Sequence, residues 1–114
     1  LGSIQPQPVE HAEDGSLRLD HVAAAIKADD FHYARTRLVA LENTVGGRAV
    51  PLASMRAITG FAHGKGLATH LDGARLFNAA TALGVAPAEV ARDFDSVTIC
   101  LSKGLGCPAG AVLA

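Results

Sequence analysis

The run "SVTICLSKGLG" (96–106) puts a lysine, Lys103, where an alternating apolar stretch gives way to glycines. A lysine that is desolvated and close to other charges has its amine available as a nucleophile toward carbonyls. Two earlier stretches also end on ionisable residues: "TRLVALEN" (36–43) reaches Glu42, and "LATHLDGA" (67–74) reaches Asp72. An imine-forming lysine, with a strand-end aspartate to pair a pyridinium nitrogen, is what pyridoxal phosphate chemistry requires. The plain alternative for a lysine in this position is a solvated residue on the rim of a sheet. The flanking glycines and the neighbouring acids favour the chemical reading.

These residues need elements to hold them. The stretch 5–16 is polar, with two prolines and an Asp-Gly pair, and reads as a loop with a turn. A short helix is expected over 19–30, with Asp20 as N-cap and Val22 and Ile26 on one face; Asp29 and Asp30 oppose the C-terminal dipole and stop it. "TVGGRAV" (44–50) reads as a glycine loop. Pro51 is expected at the first position of a helix whose apolar stripe is Leu52, Met55, Ile58, Phe61 and Ala62, ended by Gly64 or Gly66. A helix over 75–84 stops at Gly84, and Pro87 begins another. A last apolar stretch runs from 109. Strands alternating with helices predict an α/β fold, a three-layer sandwich with a mostly parallel sheet. Sites in such sheets gather at the carboxyl ends of the strands, so Glu42, Asp72 and Lys103 are expected on one edge.

Composition bounds the function classes. The chain has 114 residues, 49% hydrophobic and 18% charged, with a net charge of −1 and no Trp. That is the size of one small globular domain with a core. The charge balance leaves no footprint for nucleic acid or an anionic membrane, and scarce aromatics argue against base stacking. No stretch has the apolar length of a membrane span. Cys100 and Cys107 read as reduced thiols of a cytoplasmic protein. Leu1 at the start, and Ala114 inside the apolar run "AGAVLA", lead to the expectation of a segment from a longer protein.

"GLGCPA" (104–109) formally matches a dinucleotide-binding glycine pattern. Pro108 and the apolar run beyond it do not open a helix, so a tight loop beside a ligand is the better reading. His63 and His70 lack metal-ligand spacing, and neither cysteine belongs to a C-x-x-C pair, so no metal site is expected. A serine or cysteine nucleophile has no identifiable base, with Cys107 in its glycine loop left open.

"HLDGARLFNAA" (70–80) and "SVTICLSKGLGCPAG" (96–110) closely resemble the low-specificity L-threonine aldolase family, fold-type-I pyridoxal phosphate enzymes of the β-eliminating lyase superfamily; "FHYARTRLVALENT" (31–44) resembles its preceding block. The resemblance implies that residues 1–114 form the central part of the cofactor-binding large domain. A ring-stacking histidine and a phosphate cup would precede them; a second carboxylate-binding arginine and a small C-terminal domain would follow. It implies Lys103 as the lysine bonded to pyridoxal 5'-phosphate and Asp72 as the partner of the pyridine nitrogen. Arg75 would contact the cofactor's phenolic oxygen and the substrate carboxylate, for which its fork is suited. His32 would stand near the substrate hydroxyl, to move its proton or hold a water. The implied reaction is retro-aldol cleavage of L-threonine or L-allo-threonine to glycine and an aldehyde by a homo-oligomer, dimer or tetramer. A β-eliminating lyase, a hydroxymethyltransferase or a non-catalytic fragment are the alternatives. One departure is Val45-Gly46, where the family often has His-Asn.

Overall fold

A computed structural model describes residues 4–114. Helix α1 (Leu19–Ala25) precedes strand β1 (Leu38–Glu42), and a hairpin of β2 (Thr44–Val45) and β3 (Arg48–Ala49) leads into helix α2 (Leu52–Gly64). Then come β4 (Ala68–Gly73), α3 (Leu76–Leu83), α4 (Pro87–Ala91), β5 (Ser96–Cys100) and β6 (Ala111–Leu113). The main sheet has the order β1-β4-β5-β6. β1, β4 and β5 are parallel, as the strand–helix alternation predicts, and β6 closes the sheet antiparallel to β5.

Burial alternates along β4 as its sequence does. In β4, Thr69, Leu71 and Gly73 are buried, whereas Ala68 and Asp72 are exposed and His70 is half-buried. The buried row meets the helices: Val22 of α1, Met55 and Ile58 of α2, Leu76 and Ala80 of α3 and Val90 of α4 form one core with Leu41 and Leu71. Leu71 is 0% exposed, so truncation to alanine should cost about 2–5 kcal/mol. Gly73 makes this packing possible, because a Cβ there would lie 2.9 Å from the Thr98 carbonyl oxygen and 2.9 Å from a Val97 methyl. Among the described residues the helices of this core cover one face of the sheet, and the face bearing Glu42 and Asp72 is open.

Several boundaries differ from expectation. Asp20 is not the N-cap of α1; that position belongs to Arg18, whose guanidinium donates to both Asp20 carboxylate oxygens, at 3.1 and 2.7 Å. The hydrogen bonds to Arg18 hold the Asp20 pKa down to about 2. The helix stops at Ala25, well short of 30: Ile26 is extended, and the Lys27 N–H donates to the Thr36 hydroxyl instead of to the preceding turn. Pro51 is the N-cap of α2, not its first residue, and its carbonyl accepts from Ser54 and Met55. The 44–50 stretch is a two-residue hairpin turning on Gly46 and Gly47, with φ of 57° and 80°. Positive φ at both central residues is the turn that matches strand twist, and glycine adopts it without strain. Gly84 ends α3 in the left-handed conformation and Pro87 opens α4, both as expected.

Candidate functional site

The carboxyl ends of β1, β4 and β5 share one edge. Glu42, the last residue of β1, is in register with Asp72, and Asp72 with Thr98 of β5. The Asp72 carboxylate is oriented from its own chain, its Oδ1 accepting from the Ala74 N–H at 3.0 Å. Arg75 follows as the N-cap residue of α3, exposed, its carbonyl accepting from the Ala79 N–H at 3.0 Å. Arg75 thus stands three residues beyond Asp72, at the start of α3.

Lys103 lies three residues beyond β5, in the loop that returns the chain to β6. Two backbone bonds tie this loop down: Cys107 N–H to Leu101 carbonyl and Gly106 N–H to Lys103 carbonyl, each 3.0 Å. Gly104 is packed against α3, since a Cβ there would lie 2.3 Å from Asn78 Oδ1. The loop bearing Lys103 is therefore seated on the same helix that begins at Arg75.

Cys100, half-buried, is the last residue of β5. Its thiol is held below the ordinary thiol range, first by the hydrogen bond with the Ser102 hydroxyl (Sγ to Oγ 3.1 Å). The Lys103 cation lowers it further and the Asp72 carboxylate raises it.

His32 is placed differently. It is exposed, in the segment before β1, held by Asp30 and stacked on Phe31 at 3.8 Å between ring centroids. It shares with Glu42 a cleft of about 1380 Å³ along the outer flank of β1; Asp72, Arg75 and Lys103 do not line that cleft. This cleft and the carboxyl edge that bears Asp72 and Lys103 are therefore distinct. His70 and His63 belong to other networks. His70 lies between the hydroxyls of Ser96 and Thr98, at 2.9 and 3.1 Å, and His63 contacts Asp95 at 3.0 Å.

Four residues at or near the site carried no sequence signal of their own: Cys100, Thr98, Asn78 and Asn43. Asn43 is 1% exposed, and both its side-chain amide atoms lack a hydrogen-bond partner, as does the buried Thr44 hydroxyl. The register of Thr98 with Asp72 follows only from strand pairing, and the Asn78 contact only from helix docking.

The comparisons with known proteins place the chain in a family. A family model described as Beta-eliminating lyase matches residues 1–114. The chain belongs to that family. It is 52% identical over 113 residues to the low specificity L-threonine aldolase of Escherichia coli (strain K12), covering 99% of this chain and 34% of that protein. To low-specificity L-threonine aldolase 1 of Arabidopsis thaliana the identity is 43% over 119 residues, covering 99% and 33%. The solved structure of Leishmania major threonine aldolase superposes with a TM-score of 0.72 at 26% identity, over 90% of this chain and 31% of that one. The chain thus spans about a third of the length of the curated relatives it matches.

Proposed function

We propose that the full-length protein containing this chain cleaves L-threonine, L-allo-threonine and related β-hydroxy-α-amino acids to glycine and an aldehyde, using pyridoxal 5'-phosphate. The observation that carries this reading is the placement of Asp72 at the carboxyl end of β4 and of Lys103 in the loop leaving the adjacent parallel strand β5, on one edge of the sheet. The names of the relatives and the family match support it.

The residues fit the cofactor. Lys103 offers a primary amine to its carbonyl carbon, and Asp72, oriented by the Ala74 N–H, offers a carboxylate to its ring nitrogen. When bound, the cofactor supplies an electron sink for the pair released at the substrate's Cα. Asp72 keeps the ring nitrogen charged and so keeps the sink deep. Arg75 presents a planar fork suited to the substrate carboxylate. His32, which lines the cleft beside β1 rather than the lysine edge, is assigned the β-hydroxyl proton, or a water there, on the family resemblance alone. A homo-oligomeric, cytoplasmic enzyme belongs to the same proposal.

Product analysis on the full-length protein tests this. Glycine and acetaldehyde from L-threonine are the expected products. A 2-oxo acid with ammonia would overturn the proposal in favour of β-elimination, the second reading, which the family's own description favours.

A further inference from the structure

Asp30 Oδ1 lies 2.8 Å from the backbone nitrogen of His32 and 2.8 Å from its ring Nδ1. One carboxylate oxygen thus accepts two bonds from the same residue. The backbone bond alone would make an ordinary turn of the Asp-Phe-His segment. The ring bond is additional and has a chemical consequence. An ionised carboxylate only accepts, so Nδ1 must be the donor, and neutral imidazole then presents Nε2 as a free acceptor. Phe31 lies against the same ring, tilted by 38° between ring planes. The His32 backbone N–H, and then its ring, keep the Asp30 carboxyl below its ordinary pKa, so the acceptor stays charged at neutral pH.

We propose that Asp30 is a positioning residue for His32, fixing the form with Nε2 free and balancing the charge when Nε2 takes a proton. The inference rests on the proposed function, in which His32 serves the substrate hydroxyl. In that step the hydroxyl O–H bond breaks and an Nε2–H bond forms; the O–H pair becomes the aldehyde's C=O bond as the Cα–Cβ bond breaks, and the pair of that bond would pass to the electron sink the bound cofactor supplies. The resulting imidazolium keeps its Nδ1–H on Asp30, so cation and anion stay in contact. The arrangement of a histidine oriented through its second nitrogen by a carboxylate recurs wherever an imidazole must act as a base.

The test compares Asp30→Asn, His32→Asn and the double variant in the full-length holoenzyme. Asparagine keeps the side-chain oxygen that accepts the backbone N–H, so the turn survives and only the charge is lost. Asp30→Asn is expected to lower kcat on the order of tenfold, a part of the about 10²–10⁴-fold that a positioned acid–base group supplies. KM for L-threonine and the melting temperature should not move. In the His32→Asn background the same change should alter kcat by less than about twofold, as for groups acting as one unit. If His32→Asn lowers kcat while Asp30→Asn leaves it unchanged, the assignment of Asp30 is overturned and that of His32 stands. Equal losses in both backgrounds, or a loss accompanied by a lower melting temperature, overturn it likewise. Should His32→Asn leave kcat unchanged, the role of His32 falls, and that of Asp30 with it.

Discussion

At the scale of single residues the proposed site is an amine and a carboxylate held from different elements. Asp72 is fixed by its own following turn, and Lys103 by a loop seated on α3. The two are therefore separable by mutation. Asp72→Asn should lower turnover on the order of 10²-fold, the scale of removing one preorganised charge contact. Cofactor retention, read by absorbance after gel filtration, should change much less. Near wild-type turnover in this variant would contradict the role given to Asp72. Gly104→Ala would push a Cβ against Asn78 Oδ1, 2.3 Å away, and displace the lysine loop. Turnover should fall in that variant and recover when Asn78→Ala is added. Failure of the second change to restore activity would mean that Gly104 matters for some other reason.

At the scale of elements, much of this arrangement was legible in the sequence, and what was not has physical causes. The acids at the ends of β1 and β4 and the glycine stop of α3 follow from alternation, charge and turn chemistry. The α1 boundary could not be read, because the Thr36 hydroxyl that captures Lys27 N–H comes from nine residues away. The β2–β3 hairpin was missed because two-residue strands are too short to show a period, although Gly46-Gly47 is itself the signal of such a turn. The clasp at the opposite, amino edge of the sheet was equally invisible. There Asp95 Oδ2 accepts from the Thr69 N–H at 2.7 Å, the Thr69 hydroxyl at 3.0 Å and His63 Nε2 at 3.0 Å, joining α2, β4 and the start of β5. These bonds, the Thr69 backbone N–H first, lower the Asp95 pKa from 3.8. A carboxyl whose folded pKa is depressed stabilises the fold fully above its unfolded value and loses that contribution as pH falls through the folded one. Acid unfolding should therefore gain a component below about pH 4 that Asp95→Asn removes, and the variant should melt lower at neutral pH. Identical acid transitions in both proteins would refute the clasp. Gly73→Ala drives a methyl into the Thr98 backbone, so it should destabilise the chain by about 1–3 kcal/mol, read from the denaturation midpoint.

At the scale of the whole molecule, the sheet is covered by helices on one face among the described residues. β1 and β6 are its edges, and Leu38, Val112 and Leu113 are exposed, Leu113 at 71%. Unpaired edges and an open apolar face favour association. Residues 1–114 expressed alone should therefore elute as oligomers or aggregate, bind pyridoxal 5'-phosphate weakly and release no aldehyde from L-threonine. A monomer with turnover would show that the site is complete within this stretch. Everything above turns on Lys103 as the residue that carries the cofactor, and one measurement addresses it directly. The full-length protein is loaded with pyridoxal 5'-phosphate, reduced with borohydride, digested and mapped by mass spectrometry. The account predicts the pyridoxyl group on the peptide containing Lys103. A label on Lys27 or Lys65 instead, or no label on any lysine of this chain, would contradict it.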